Sequence, residues 1–508
     1  MVATSAARSL ISRSRALSLL DQPWLTLIHL KQIHSRLIVS GATADDFTCR
    51  KLLSSYSFSA HGELSSAYNL FRLLPRRSIV VSNTMIRAFL ESNEATKAVI
   101  LYREVLASGI LPDKYTFSFL LRACVEIADP TLGVIYHAQI IKLGWERHEF
   151  VQNGLIHFYV SLKCMESASK LFDGSSKLDV VAWTSLINGY LKSGQIVMAR
   201  ELFDKMPVKN EVSWSAMVNG YAQFGLFNDA LELFNDMQLA GIFPNYPAIV
   251  GALSACAALG ALDQGQWIHS HIKRNKLKLD TGLGTALVHM YTKCGCIETA
   301  CQVFDKMSHR DVYAYTCFIS GLANHGQSSR AIHLFTRMCR EGINPNEVTF
   351  TCILNACSRM GLIEEGLKIF HSMYVVYGIQ PKSQHYGCLV DLLGRAGMME
   401  QAKLVVEKLH IKPDSCILGA MLNACGVHGE LELGKEIVEK LVDVNLDHSG
   451  THVLLSNILA QASQWNDVEK LRKEMVGKMI HKVPGCSAVE VNGVLHEFIS
   501  GEKKMRYC

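Results

Sequence analysis

Residues 211–245 read EVSWSAMVNGYAQFGLFNDALELFNDMQLAGIFPN, and this stretch decides the architecture of the chain. Apolar residues recur at helical spacing as far as Tyr221, and a second helical run follows Gly225. Gly241 and Pro244 close the second run, an arrangement typical of a helix end. The stretch therefore predicts a helical hairpin, two helices joined by a turn at Gly225.

The same unit recurs along the chain, because one glycine keeps its phase over eight units. The register glycines are Gly194, Gly225, Gly260, Gly295, Gly326, Gly361, Gly397 and Gly429. Their spacings are 31, 35, 35, 31, 35, 36 and 32 residues. Self-similarity on this scale is typical of stacked supersecondary units. We therefore predict an all-α fold, a right-handed superhelical solenoid of helix-turn-helix repeats (an α-α superhelix), whose functional surface is long and concave.

Two further residue types keep phase with the glycines. A small residue stands five positions after each glycine, as in Ala199, Ala230 and Gly265, and predicts close approach between the two helices of a hairpin. Four cysteines stand ten residues after a repeat start, namely Cys124, Cys256, Cys357 and Cys425. We expect these thiols to pack inside the first helix, since metal ligands would cluster in one place.

Composition limits the function classes. The 508 residues carry a net charge of only +5, so a nucleic-acid partner requires basic residues gathered on one face. The sixteen cysteines show no disulfide-scaffold spacing, which indicates reduced thiols in an intracellular compartment. The uncharged stretch 239–262 contains Pro244 and Pro247 and a repeat boundary, so no membrane span is expected. We expect no metal and no cofactor.

Residues 1–20 differ from the rest of the chain. Arg8, Arg13 and Arg15 occur with five serines, and the first acidic residue is Asp21. This composition is typical of an organellar transit peptide and predicts import into a mitochondrion, or else a chloroplast. A disordered N-terminal tail is the alternative.

The repeat lengths and several stretches resemble one known family. Lengths of 31, 35 and 36 alternate, and the chain contains the stretches VVAWTSLINGY, FDKMP, ACAALG and HYGCLVDLLGRAG. This pattern resembles the plant pentatricopeptide repeat family, in the subclass that mixes standard, long and short repeats. The chain then divides into a transit peptide (1–20), a partial repeat (21–45), about eleven repeats (46–414), an E region (415–483) and a final segment (484–508). The repeats are 46–78, 79–113, 114–148, 149–179, 180–210, 211–245, 246–280, 281–311, 312–346, 347–382 and 383–414.

The resemblance implies that each repeat reads one base of single-stranded RNA. In the family the fifth and last residues read the base edge, and the second residue packs against base faces. We call the fifth and last residues the reading pair. Six pairs match the family code: Asn83 with Asp113 (U), Asn153 with Asp179 (U), Thr184 with Asn210 (A), Ser215 with Asn245 (A), Thr285 with Asp311 (G) and Thr316 with Asn346 (A).

Other repeats depart from the code. The long repeats carry Ser118 with His148, Val250 with Asp280, and Thr351 with Lys382, and the outermost repeats carry Arg50 with Ser78, and Gly387 with Asp414. An alternative applies to every pair, because small polar residues and Asn or Asp before a helix are also ordinary N-caps.

The C-terminal part resembles plant organellar RNA-editing factors. Residues 415–483 resemble their E region, and Pro484 to Ser487, followed by VEVNGVLHEFISGE, resembles the opening of the DYW cytidine-deaminase domain, except for Ala488 where the family has Trp. A zinc deaminase needs H-x-E with a downstream C-x-x-C. Here His496 and Glu497 are adjacent and no C-x-x-C occurs. The chain is therefore expected not to be an enzyme.

We predict a site-recognition factor for C-to-U RNA editing that recruits a DYW-type deaminase, or other editing-complex proteins, in trans. Three alternatives remain. In the first, the chain affects RNA stability, splicing or translation only by occupying the RNA. In the second it is a protein-binding helical scaffold, and in the third it is a degenerate gene product. Allowed reading pairs argue against the scaffold, and the E region argues against simple occupancy.

Overall fold

The computed structural model describes residues 17–22, 25–42, 45–59, 61–74, 77–175, 179–408, 413–443, 449–477, 485–491, 494–500 and 506–507. The chain forms two compact units, Met1–Gly220 and Tyr221–Cys508. Each unit is built from antiparallel helical hairpins, as the repeat pattern predicts. None of the described helices is long and apolar enough to cross a membrane.

The helices follow the predicted repeats closely. The first unit holds α1 Leu27–Val39, α2 Asp46–Phe58, α3 Leu64–Leu73, α4 Ile79–Glu91, α5 Ala95–Ala107, α6 Lys114–Ile127, α7 Pro130–Lys142, α8 Glu149–Ser161, α9 Met165–Asp173, α10 Val180–Lys192 and α11 Ile196–Lys205. Helix α12, Glu211–Gln223, spans the division between the units. The second unit holds α13 Phe227–Leu239, α14 Tyr246–Leu259, α15 Leu262–Arg274, α16 Thr281–Lys293, α17 Ile297–Lys306, α18 Val312–Asn324, α19 Ser328–Arg340, α20 Glu347–Met360, α21 Ile363–Val375, α22 Ser383–Arg395, α23 Met399–Glu407, α24 Ser415–His428, α25 Leu431–Asp443, α26 Ser449–Gln461 and α27 Trp465–Gly477.

The turn inside each hairpin from α4–α5 to α26–α27 uses a left-handed residue. Gly225 has φ +77°, a conformation that costs glycine nothing because it lacks a Cβ. Where the register glycine is absent, Asn93, Ala128 and Lys163 adopt the same conformation with φ between 57° and 60°. The helices on both sides therefore impose the left-handed conformation of the turn, and glycine lowers its conformational cost.

The small residues also contact the following repeat. A Cβ added to Gly133 would lie 2.0 Å from the ring of Phe158, and one added to Gly265 would lie 2.5 Å from the sulfur of Met290. Phe158 and Met290 belong to the first helix of the following repeat. One added to Gly366 would lie 2.5 Å from Leu392 of the next repeat and 3.4 Å from the Cβ of Cys357 in its own hairpin. The small residue therefore admits a side chain from the next repeat and couples neighbouring repeats.

Buried apolar side chains form extended core clusters, one from Leu20 to Phe158 and another from Leu389 to Val468. The four in-phase cysteines are all buried, which confirms that their sulfur atoms serve as packing groups. Phe203, Phe234 and Phe304 are also buried. In the second unit, Phe304 lies 5.1 Å from Tyr315 and 5.0 Å from Phe318, measured between ring centroids.

A histidine and a tyrosine join the second helix of one repeat to the first helix of the next. His137 Nδ1 lies 2.8 Å from Tyr159 Oη, and His269 Nδ1 lies 2.8 Å from Tyr291 Oη. Burial, together with the positive charges of Lys273 and Lys306, lowers the pKa of His269 to about 4. His269 is therefore neutral in the folded state at neutral pH.

This depressed pKa predicts an acid-sensitive fold. Between the unfolded value of about 6.5 and the folded value of about 4, the unfolded chain binds the proton that folded His269 excludes, so stability falls as the pH falls through that window. We expect the midpoint of thermal unfolding to drop between pH 7 and pH 4.5. The variant His269→Asn should lose less over the same range, as measured by circular dichroism. An identical drop in both proteins would contradict this assignment.

The N-terminal segment packs on the first unit. Residues 1–16 of the proposed transit peptide lie outside the described residues. Leu20 and Leu25 are buried in the core of the unit, and Asp21 pairs with Lys51 at 2.7 Å. A mature chain that began after residue 20 would lose the Leu20 contact.

The helices are followed by a small antiparallel sheet that the sequence analysis did not predict. Strands β1 Cys486–Val491, β2 Val494–Ile499 and β3 Arg506–Tyr507 pair in the order β1-β2-β3. In the register, Val491 pairs with Val494 and Cys486 with Ile499. The missed signal was the Asn-Gly dipeptide at 492–493 between two runs rich in β-formers, a strong hairpin signal.

Candidate nucleic-acid interface

The last residue of each readable repeat caps the next helix. Its side-chain oxygen accepts a hydrogen bond from the backbone N–H three residues further on, at 2.9–3.2 Å. The six residues are Asp113, Asp179, Asn210, Asn245, Asp311 and Asn346. Asp280, in an unreadable repeat, makes the same bond to Leu283 at 2.9 Å. Capping therefore occurs, and by itself it does not distinguish readable from unreadable repeats.

The cap at Asn346 uses only one of its two side-chain polar atoms. In Asn346, Oδ1 accepts from the backbone N–H and the hydroxyl of Thr349, both at 2.9 Å. The amide Nδ2, a donor, takes no part in this cap. In an aspartate at this position the second atom is a carboxylate oxygen, an acceptor. The cap thus converts the choice between Asn and Asp into a choice between a donor and an acceptor.

Two reading pairs meet directly. Asn83 Nδ2 donates to Asp113 Oδ1 at 2.9 Å, and Asn153 Nδ2 donates to Asp179 Oδ2 at 2.8 Å. Thr116, the third residue of the next repeat, donates from its hydroxyl to Asn83 Oδ1 at 2.8 Å. The two pairs predicted to read U are therefore held in place by hydrogen bonds within the protein itself.

A third pair is joined through an intermediate residue. The hydroxyl of Thr316 lies 2.6 Å from that of Thr349, which in turn donates to Asn346. Thr349 and Thr116 were not predicted as site residues. A threonine at the third position of the following repeat is the signal that could have found them.

Two further pairs, Thr184 with Asn210 and Thr285 with Asp311, are not joined by a direct hydrogen bond within the part of the chain that the structure describes. The hydroxyl of Thr184 donates to the carbonyl of Val180, and that of Thr285 donates to the carbonyl of Thr281 at 2.7 Å. Ser215 donates to the carbonyl of Glu211.

The second residues form an exposed apolar series. Phe47, Val80, Tyr115, Phe150, Val181, Val212, Tyr313 and Val348 are all between 44% and 69% exposed. The third residue of the same helix is buried wherever it is apolar, as in Val81 and Ala182. In these eight repeats the first helix thus presents an apolar side chain to solvent, and flat bases can pack on such groups.

Reading pairs line two open clefts, one in each unit. The first cleft, of about 480 Å³, is lined by Asn83, Asp113 and the second-position residues Val80 and Tyr115. Arg50 and Arg87 also line this cleft. Each cleft therefore places polar edge-reading atoms between two apolar platforms.

The second cleft, of about 670 Å³, holds Thr316 and Asn346 between Tyr313 and Val348. His289 and Lys293 also line this cleft. Burial lowers the pKa of His289, and the charge of Lys293 lowers it further, so the imidazole is neutral at neutral pH. Lys293 is then the cation that this cleft offers to a phosphate.

One tripeptide matches half of the deaminase signature. Residues 428–430 read H-G-E. Gly429 is the left-handed C-cap of α24, and the imidazole of His428 lies 2.7 Å from the carbonyl of Gly394. This tripeptide is a repeat turn, and the signature also requires a C-x-x-C that the 508 residues do not contain.

Together, the hairpins and the regularly spaced surface residues define a helical-repeat protein. Most of its repeats carry the same surface station, an exposed second residue beside a last residue that caps the next helix. Family comparisons agree with this class. Residues 428–490 match the E motif, and residues 77–126 and 310–359 match the PPR repeat family. Four further stretches match the PPR repeat, at 181–210, 212–242, 285–312 and 348–374.

Relatives from Arabidopsis thaliana cover nearly the whole chain. Pentatricopeptide repeat-containing protein At5g66520 is 43% identical over 475 residues, which are 93% of this chain and 77% of the relative. Protein At5g59200, described as chloroplastic, is 40% identical over 492 residues, 97% of this chain and 89% of the relative. The chain therefore belongs to the pentatricopeptide repeat family and carries an E motif.

A solved structure supports the fold. The pentatricopeptide repeat protein PPR10 from maize superimposes with a TM-score of 0.51 at 16% identity, over 89% of this chain and 72% of PPR10. The predicted fold class, a solenoid of helix-turn-helix repeats, is confirmed. PPR10 has also been solved in complex with an 18-nucleotide psaJ RNA element.

Proposed function

We propose that the chain is a sequence-specific single-stranded RNA-binding protein that selects sites for C-to-U editing in a plant organelle. The observation that carries the proposal is the shared station: an exposed apolar residue beside an Asn or Asp that caps the next helix with one side-chain oxygen. We infer that the second polar atom of the capping residue is the outward atom that meets the base. Membership of a family in which PPR10 has been solved with RNA supports the same partner.

The base choice follows from that outward atom. Uracil and guanine present a ring N–H, which the second carboxylate oxygen of Asp113, Asp179 or Asp311 accepts. Adenine presents a ring acceptor, which Nδ2 of Asn210, Asn245 or Asn346 meets as a donor. A fifth-position threonine or serine is shorter than asparagine and leaves more room, in keeping with a purine at those repeats.

The repeats then specify an RNA sequence. With the N-terminal repeat at the 5′ side, as the family arrangement implies, repeats 79–113 to 383–414 read 5′-U-n-U-A-A-n-G-A-n-n-3′, where n is unread. The same arrangement aligns repeat 383–414 with the fourth nucleotide before the edited cytidine.

The editing role rests on the E motif. We infer that a deaminase acts in trans, and that the segment from residue 428 onward is where that partner acts. The transit-peptide composition of residues 1–20 supports an organelle, a mitochondrion or a chloroplast.

Transcriptome sequencing of both organelles in a loss-of-function plant tests the editing role. We expect a few C-to-U sites to lose editing, each preceded by the sequence above, with transcript levels unchanged. Intact editing with altered abundance or splicing of one transcript would favour the occupancy function instead. The organelle that holds the affected site identifies the compartment.

A further inference from the structure

Three long repeats share a contact that bears on their unreadable pairs. In repeats 114–148, 246–280 and 347–382, the side chain of the first residue contacts either the last residue of its own repeat or the start of the next repeat. The three first residues are Lys114, Tyr246 and Glu347. In repeat 79–113, by contrast, the last residue meets the fifth, and the pair lines an open cleft.

Tyr246 gives the clearest case. Its hydroxyl lies 2.0 Å from the point where any residue other than glycine would place its Cβ at position 282. Gly282 is the second residue of its repeat, the position where most repeats hold an exposed apolar side chain. The phenol of Tyr246 therefore fills the space that a base-packing side chain occupies elsewhere.

The same phenol engages the last residue of its repeat. Asp280 caps α16 with Oδ1, which accepts from Leu283 N–H at 2.9 Å. Burial raises the pKa of Tyr246, and a hydrogen bond to the Asp280 carboxylate raises it further. Asp280 has the chemistry of a reading residue, yet its carboxylate faces a tyrosine of its own repeat.

The other two long repeats are closed by different chemistry. Glu347 pairs with Lys382 at 2.7 Å. The buried imidazole of His385 joins the same two residues, because it accepts from Lys382 N–H at 2.9 Å and lies 2.9 Å from the carbonyl of Glu347. The last residue of this repeat is thus tied to the first.

In repeat 114–148 the two base-packing platforms touch each other. The ring centroids of Tyr115 and Phe150 are 5.9 Å apart, and the ammonium of Lys114 lies 5.1 Å and 5.9 Å from them. A base between two rings needs about 7 Å, twice an optimal carbon contact of ~3.5 Å. A base cannot enter between these rings without separating them.

We propose that the contacts of the first residue of each long repeat close the space in which a base would otherwise lie. In repeat 246–280, Tyr246 determines specificity by keeping Asp280 from reading a base. The proposal rests on the RNA-reading function above. It implies that repeat 246–280 is silent because it is blocked, and that it regains a preference when the block is removed.

The test uses the full chain and ten-nucleotide RNAs of the sequence given above, with the base facing repeat 246–280 set to each of the four bases. The wild type should bind all four within about twofold. Tyr246→Ala should prefer U and G over A and C by about tenfold, the low end of discrimination by one good base contact. The double variant Tyr246→Ala with Asp280→Asn should reverse the preference, because the outward atom becomes a donor. Tyr246→Phe keeps the ring and should stay unselective.

Three results would overturn the proposal. If the wild-type protein already discriminates between the four bases at this position, Tyr246 does not block base reading there. If the Tyr246→Ala variant binds all four RNAs equally well, Asp280 does not read a base even when the phenol is removed. If Tyr246→Ala weakens binding to all four RNAs equally, the phenol is itself a stacking platform. Replacing A by G opposite repeat 312–346 in the same series tests the proposed function separately. Helicity and thermal midpoints of all variants establish that they are folded.

Discussion

Replacing Asn346 with aspartate should switch repeat 312–346 from adenine to guanine. The cap on α20 survives, because aspartate caps as well as asparagine. The outward atom changes from the donor Nδ2 to a carboxylate oxygen, which accepts from the ring N–H of guanine and repels the ring acceptor of adenine. By analogy with bidentate base contacts in DNA, we expect the relative affinity to change by about 1–3 kcal/mol. Competition binding between two RNAs that differ only at this base measures the change.

The matched control is Asn346→Ala, which removes both the cap and the outward atom. It should cost about 0.5–2 kcal/mol of stability and abolish the preference between A and G. If Asn346→Asp weakened binding to both RNAs equally, residue 346 would be only a cap, and the register of this repeat would be wrong.

Replacing Phe304 with alanine should cost about 3–5 kcal/mol of unfolding free energy. The ring is fully buried against Tyr315 and Phe318 on the next helix, and the guanidinium of Arg310 lies 5.1 Å from its centroid. Urea unfolding followed by circular dichroism gives the magnitude. Leu239→Ala is the control, because Leu239 is 87% exposed and its truncation should change stability by less than about 0.5 kcal/mol.

The loss at Phe304 should spread to both neighbours. Each repeat depends on the interfaces beside it, so amide hydrogen exchange should quicken in repeats 246–280 and 312–346 as well as in 281–311. Faster exchange confined to 281–311 would contradict this coupling.

Periodicity was enough to predict the architecture. A glycine in phase, a small residue after it and a buried cysteine reflect positions that every repeat must satisfy, so they are visible in one sequence. The helix caps at Asp113 and Asn346 follow from the same logic. Residue type and position alone identified both.

Contacts between repeats were not visible in the sequence. The bridging threonines Thr116 and Thr349 act across a repeat boundary. The neighbour of Gly133 is Phe158, not a residue of its own hairpin. In the sequence, Tyr246 looks like the ordinary first residue of a helix, whereas in the structure its hydroxyl lies over Gly282. Such contacts depend on which side chains meet in three dimensions, and the repeat pattern does not encode that.

Selection of bound RNA from a random pool tests the one-base-per-repeat reading most directly. The full chain is incubated with random single-stranded RNA, and the bound fraction is sequenced. We expect enrichment of 5′-U-n-U-A-A-n-G-A-3′, with no preference at the two unread positions. Enrichment of an unrelated motif, or of none, would contradict RNA reading by these six pairs.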